Sequence, residues 1–121
     1  MHKYSFEKLE VWRLSIEFVK KIYKLVENFP NSEKYGITDQ IKRAVVSVPT
    51  NLSEGSGRNT GKDKAHYTQM AYGSMMESLN LLIIAKELCF IDEDTLDNLR
   101  LDIEVITTKL SNLRRSQLKQ P

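Results

Sequence analysis

The sequence has one cysteine among its 121 residues, and this scarcity limits the chemistry open to it. A single cysteine excludes an intrachain disulfide and any zinc site built from cysteines. Cys89 lies between Leu88 and Phe90, so we expect its side chain to fill space in the core. A reactive thiolate would instead need electropositive, partly exposed surroundings.

Long apolar runs are also missing. The longest, Leu81–Ala85, is far short of the roughly 18 consecutive apolar residues of a membrane-spanning helix. Residues 1–8 lack the apolar segment of a secretory signal. We therefore expect a cytoplasmic protein with no membrane contact. Its length suits a single domain, residues 1–121, with one core.

No segment alternates polar and apolar residues for long enough to predict a strand. Four stretches instead repeat apolar residues every three or four positions, which is typical of helices with one buried face. Long helices joined by short connections favour an all-α, antiparallel up-down-up-down four-helix bundle. The predicted helices span roughly residues 6–29, 38–55, 63–88 and 93–115.

The third predicted helix has apolar residues around its whole circumference. Between Ala65 and Ala85 the only charged side chain is Glu77, leaving His66 aside. A four-helix monomer would expose part of this apolar surface to water, so we expect the helix to contact a second subunit. Gly73 costs about 1 kcal/mol relative to alanine in a helix, and we expect a close helix–helix approach to compensate for that; the alternative is a glycine that the helix tolerates.

The glycine-rich segment SVPTNLSEGSGRNTGKD, residues 47–63, invites comparison with a phosphate-binding loop. The P-loop pattern requires a glycine five residues before Gly61, where Ser56 stands. It also requires a serine or threonine after Lys62, where Asp63 stands. Because the segment follows a predicted helix instead of a strand, we reject a nucleotide-binding role for it.

A polar stripe runs along the second predicted helix, about 110° from the apolar face. Two interpretations stay open: a solvated face, or a hydrogen-bonded seam at a subunit contact, where Arg43 pairs with Glu54 of a neighbouring chain. Pro49 lies within the apolar repeat of this helix and predicts a kink. The stripe consists of Gln40, Arg43, Ser47, Asn51, Glu54 and Arg58.

Three motifs stand out: FEKLEVW at residues 6–12, DQIKRAVVSVPTNLSEG at 39–55 followed by Arg58, and AYGS at 71–74 followed by Glu77. Together they resemble the 23S rRNA-intervening sequence proteins, over nearly the whole chain. The resemblance implies a left-handed antiparallel four-helix bundle in a ring-shaped homopentamer. A related protein, the accessory variability determinant of diversity-generating retroelements, binds nucleic acid and a reverse transcriptase, which implies similar partners here.

The net charge of +2 is small, but it is unevenly distributed. Antiparallel topology brings the start of the first helix, the second-to-third loop and the end of the fourth helix together. Nine basic and four acidic residues give this end a charge of +5. In a ring these ends share one side and form a basic rim suited to RNA or DNA phosphates. The nine are Lys3, Lys8, Arg58, Lys62, Lys64, Lys109, Arg114, Arg115 and Lys119.

Enzymatic patterns fit the sequence poorly. A di-iron bundle needs two Glu-x-x-His pairs, and only Asp63-x-x-His66 approaches that spacing. Helical-bundle ribonucleases of the higher-eukaryote-and-prokaryote nucleotide-binding class place their arginine and histidine closer together than Arg58 and His66. We therefore expect a non-enzymatic protein with no cofactor, metal or small-molecule substrate. The alternative is a small RNA hydrolase that uses His66 and Arg58.

Overall fold

A computed structural model describes the whole chain, residues 1–121. It contains four helices and no strand: α1 (Glu10–Val26), α2 (Ile37–Ser56), α3 (Gly61–Glu87) and α4 (Glu93–Leu118). Two short 3-10 turns, Ser5–Lys8 and Asn31–Glu33, lie on either side of α1. None of the helices is both long enough and apolar enough to cross a membrane.

The helices form an antiparallel bundle. The N–H of Gly61, at the start of α3, donates to the carbonyl of Pro121 beyond the end of α4, at 3.2 Å. At the same end, Lys109 of α4 pairs with Glu10 at the start of α1, at 3.2 Å. Helix α2 packs between α1 and α3, and α3 packs between α2 and α4. The all-α four-helix fold predicted from apolar periodicity is confirmed.

All four helices supply fully shielded side chains to one core. Ile22 of α1, Ile41 of α2, Leu82 of α3 and Leu110 of α4 have no exposed surface. Burying a side chain of this size contributes about 1.5–3 kcal/mol relative to leaving it in water. The apolar stripes read from the sequence are therefore the surfaces that hold the bundle together.

The edge between α1 and α4 is the sparsest contact in the bundle. A shallow groove follows this edge, and Leu14 and Phe18 of α1 line it together with Val105 of α4. The ion pair between Lys21 and Asp102 bridges it, with 2.5 Å between Nζ and Oδ2. This α1–α4 edge therefore combines apolar side chains, which line the groove, with an exposed ion pair.

The first helix is shorter than predicted, because residues 5–8 form a separate 3-10 turn. The backbone N–H of Tyr4 donates to Oε2 of Glu7 at 2.8 Å, and Leu9 is extended, with φ −77° and ψ 124°. Phe6 lies edge-on to Trp12, with 5.3 Å between ring centroids. The first half of the FEKLEVW motif is thus a turn that folds back beside α1.

Helix α2 continues through Pro49 without interruption. The proline cannot donate to the carbonyl of Val45, four residues back. On the next residue, Oγ1 of Thr50 donates to the carbonyl of Val46 at 2.8 Å. Pro49 is buried and lines a shallow pocket with Phe6 and Trp12. The proline ring therefore serves as packing surface for the N-terminal turn.

The expectation that Cys89 fills core space is wrong. Its side chain is exposed, and its backbone is left-handed, with φ 64°. The N–H of Phe90 donates to the carbonyl of Ala85 at 2.8 Å, and the N–H of Cys89 donates to the carbonyl of Lys86 at 2.9 Å. These two bonds form a Schellman motif, in which the residue after the helix turns left-handed to end it.

Glycine at position 89 is expected to stabilise the subunit by about 1 kcal/mol, because the left-handed conformation strains a residue that has a Cβ. Urea unfolding under reducing conditions would measure the gain. Cys89→Ala is the matched control, since it removes the thiol and keeps the Cβ. Equal unfolding midpoints for Cys89→Gly and Cys89→Ala would contradict the strain at this position.

Candidate functional site

The nine basic residues predicted to share one end of the bundle lie on the elements that meet there. The N-terminal turn packs on the second half of α2, where Phe6 and Ser53 line the same pocket. The Gly61–Pro121 hydrogen bond joins the α2–α3 connection to the end of α4. We call this surface the basic end, and it comprises Lys3, Lys8, Arg58, Lys62, Lys64, Lys109, Arg114, Arg115 and Lys119.

Eight of these nine side chains have no carboxylate within ion-pair distance. Only Lys109 is paired, with Glu10 at 3.2 Å; the other three ion pairs of the chain involve none of the nine. Glu7 accepts the Tyr4 N–H, and Asp63 lies in the first turn of α3, where the helix dipole favours a negative charge. Most of the positive charge at this end is therefore available to an outside anion.

Arg58 is held in place against an aromatic ring. Its guanidinium carbon lies 4.6 Å from the centroid of the Tyr67 ring, and its Nη2 donates to the tyrosine hydroxyl. A Cβ added at Gly55 would lie 2.7 Å from Cβ of Tyr67, so the glycine lets α2 and α3 approach closely here. Arg58 itself is exposed, which presents a fixed guanidinium to solvent.

His66 lies edge-on to the same Tyr67 ring, with 5.8 Å between centroids. The two residues of the hydrolase alternative thus flank one tyrosine. His66 makes no side-chain hydrogen bond, and no carboxylate pairs with either it or Arg58. The arrangement has a cation and an imidazole but lacks a group to orient the imidazole as a base. No three His, Cys, Asp or Glu side chains converge as a metal site would require.

The middle of the polar stripe is a hydrogen-bonded seam between α2 and α3 of the same chain. Oγ of Ser47 lies 2.8 Å from Oγ of Ser74. The buried Asn51 donates from Nδ2 to the carbonyl of Ser47 at 2.9 Å and to its Oγ at 3.0 Å. Ser74 belongs to the AYGS motif, so part of that motif serves packing inside the subunit.

The ends of the stripe are exposed. Gln40, Arg43 and Glu54 all face solvent. Nε of Arg43 donates to Oδ2 of Asp39 at 2.8 Å, one turn earlier in α2. This hydrogen bond, together with the charge of Asp39, raises the pKa of Arg43. Within the chain the partner of Arg43 is Asp39, while its pairing with Glu54 of a neighbouring chain stays a prediction.

The exposed side of α3 includes an apolar patch, which the polar residues Gln69, Glu77 and Asn80 interrupt. We call it the α3 outer face, and it comprises Met70, Tyr72, Gly73, Met76 and Ile84. A Cβ added at Gly73 would meet no atom within 4 Å, so no other helix of the chain approaches this position. The predicted close helix–helix approach at Gly73 is therefore absent inside the subunit, and its contact with a second subunit stays a prediction.

One junction at the basic end has no recognisable signal in the sequence. The side chain of Gln117 is buried in the last turn of α4, and its Oε1 accepts a hydrogen bond from Oγ1 of Thr68 at 2.7 Å. Gly61 lies directly against it, because an added Cβ would be 2.1 Å from the Gln117 carbonyl oxygen. This contact fixes the end of α4 to the start of α3 and so positions the surrounding basic residues.

Comparison with known proteins gives a family and a fold. The sequence model of the 23S rRNA-intervening sequence protein matches residues 7–112. A crystal structure of a protein of unknown function from the S23 ribosomal protein family of Bacteroides thetaiotaomicron has a similar fold, with a TM-score of 0.76. The two are 20% identical, and the alignment covers 86% of this chain and 97% of that chain. None of the curated proteins compared matches the sequence significantly.

The family match extends over most of the bundle. It begins within the N-terminal 3-10 turn and ends within α4, so it includes α1, α2 and α3 completely. The exposed Arg58 and Lys62 and the half-buried Lys64 lie inside the matched region. The chain belongs to the 23S rRNA-intervening sequence protein family.

Proposed function

We propose that this protein is a non-enzymatic cytoplasmic binding module that assembles as a homo-oligomeric ring, a pentamer, and binds nucleic acid through the basic end. The observation that carries the proposal is the set of eight basic side chains without carboxylate partners at that end. A cation already paired must give up its partner before it binds a phosphate. Unpaired cations instead bind phosphates and release the counterions condensed on the nucleic acid.

The α3 outer face supports the assembly. Met70, Met76 and Ile84 each expose more than a third of their surface. Covering them against another copy would remove apolar surface from water and would supply the missing neighbour of Gly73. In a closed ring every subunit has the same orientation relative to the axis, so all basic ends lie on one side. The charge of one end is thereby repeated around a rim.

Charge reversal at the basic end tests nucleic-acid binding. We expect Lys62→Glu, Arg114→Glu and Lys119→Glu, combined in one variant, to weaken binding of a labelled RNA or DNA by at least about tenfold near 50 mM salt. The matched control, Lys24→Glu, Lys34→Glu and Arg100→Glu, changes the net charge equally at exposed, unpaired positions away from the basic end. It should retain affinity within about threefold. Fluorescence anisotropy at several salt concentrations measures both the affinity and its salt dependence.

Three results would contradict the proposal. Absence of any binding by the wild type near 50 mM salt would remove the nucleic-acid function, because phosphate contacts are strong under that condition. A monomer in native mass spectrometry would remove the assembly. Cleavage of RNA by the wild type that is lost in His66→Ala would favour the hydrolase alternative, whereas we expect intact RNA with both proteins.

A further inference from the structure

We infer that the basic end binds nucleic acid as a single strand, with bases stacked on Tyr4 and on the guanidinium of Arg58. This inference rests on the proposed function and specifies its ligand. Lysine side chains bind phosphates of single strands and duplexes alike, so they do not distinguish the two. Flat side chains do distinguish them, because only an unpaired base has a face free to stack on a protein group.

Tyr4 is an exposed ring on an ordered turn. It retains 63% of its surface accessible, although its backbone is fixed by the bond from its N–H to Glu7. Its one aromatic neighbour, His2, lies perpendicular to it at 4.7 Å between centroids, and most of the tyrosine surface stays accessible to a base. Lys3 precedes it, and Lys8 follows within the same turn. The ring therefore lies among cations that would hold the adjoining phosphates.

Arg58 provides a second flat surface. The Tyr67 ring covers one side of its guanidinium, and the hydroxyl of the same tyrosine accepts its hydrogen bond. Arg58 is an exposed residue, so part of its guanidinium remains accessible to a base. Bases stack on arginine planes as they do on aromatic rings. Lys62 and Lys64 follow on the first turn of α3 and supply phosphate contacts beside this stack.

The test compares one sequence of about 12 nucleotides in three forms: single-stranded RNA, single-stranded DNA and DNA duplex. We expect the wild type to bind at least one single strand about tenfold more tightly than the duplex. Tyr4→Ser, and separately Arg58→Lys, should each weaken single-strand binding about five- to tenfold, which is more than they weaken duplex binding. Arg58→Lys retains the positive charge. Weaker binding by this variant would therefore report the loss of the flat guanidinium and not the loss of a charge.

Tyr35→Ser is the matched control. Tyr35 is the most exposed tyrosine, at 88%, and has a cation beside it, with Nζ of Lys34 5.5 Å from the ring centroid, but it lies outside the basic end. Its replacement should leave all affinities unchanged. Thermal unfolding of each variant confirms that the fold is intact, as expected for exposed side chains.

The outcomes separate this inference from the proposed function. Equal affinity for single strand and duplex, with no effect of Tyr4→Ser or Arg58→Lys, would overturn the single-strand inference and leave nucleic-acid binding standing. An equal loss with Tyr35→Ser would also overturn it, because the effect would not belong to the basic end. Failure to bind any of the three forms would overturn the proposed function itself. If one single strand binds more tightly than the other and than the duplex, the result supports the inference and identifies the sugar that the site prefers.

Discussion

Replacing Met75 with alanine is expected to lower the free energy of unfolding by about 3 kcal/mol, whereas the same change at Met76 leaves the isolated subunit nearly unaffected. Met75 has no exposed surface, and its removal leaves a cavity among the helices. Met76, the next residue, exposes 37% of its surface on the α3 outer face. The two substitutions remove the same atoms from neighbouring positions of one helix, of which one faces the core and the other is partly exposed.

Urea unfolding of dilute protein measures this difference, once sedimentation has established where subunits are dissociated, because assembly links stability to concentration. Met76→Ala should instead weaken self-association in the same sedimentation experiment. An equal loss of subunit stability in both variants would contradict the orientation of α3. Unchanged association of Met76→Ala would argue against the α3 outer face as the subunit contact.

Gly61→Ala is expected to destabilise the subunit by about 2 kcal/mol, because the new Cβ would lie 2.1 Å from the carbonyl oxygen of Gln117. That oxygen belongs to the backbone of α4, so the helix end must move. Its movement would also strain the 2.7 Å hydrogen bond between Thr68 and Gln117, which is buried. A lost buried hydrogen bond leaves polar atoms without partners and adds to the cost.

Gly57→Ala is the control for this prediction. Position 57 has φ −86° and ψ 0°, which alanine adopts without strain, and the nearest atom to an added Cβ is 3.5 Å away. We expect its unfolding free energy to stay within about 0.5 kcal/mol of the wild type. Thermal or urea unfolding compares the two variants directly. If Gly61→Ala is as stable as Gly57→Ala, the contact between α3 and the end of α4 is looser than the structure indicates.

Apolar periodicity was sufficient to predict the helical fold, since positions such as Ile41 and Leu110 recur every three or four residues and are buried. The ends of the helices were predicted less well. The break at Leu9 depends on Phe6 reaching Trp12 and α2, which is a tertiary contact. The left-handed conformation at Cys89 depends on how α3 ends. The apolar residues Leu88, Cys89 and Phe90 give no signal in the sequence that predicts it.

The candidate site, too, could be predicted only in part from the sequence. Its location followed from antiparallel topology, because helix polarity alone decides which termini meet. The pairing of its charges did not follow, since the Lys109–Glu10 ion pair joins residues from opposite ends of the sequence. The Arg58–Tyr67 stack spans the α2–α3 connection, and the burial of Gln117 depends on Gly61. The spacing of residues in the sequence predicts distances within one helix, but not distances between residues on different helices.

The α1–α4 edge has a consequence for motion. Its two bridging ion pairs, Lys21–Asp102 and Lys109–Glu10, are partly exposed, and such pairs contribute about 0–1 kcal/mol each and weaken with salt. Detaching α1 from α4 therefore costs less than separating the extensive α2–α3 and α3–α4 contacts. We expect amide hydrogens of α1 to exchange faster than those of α3, although opening α1 must also break its packing on α2 and expose the buried Phe18 and Ile22. Because Tyr4, Lys3 and Lys8 are attached to α1, we expect the part of the basic end that they form to be less protected than the part on α2 and α3.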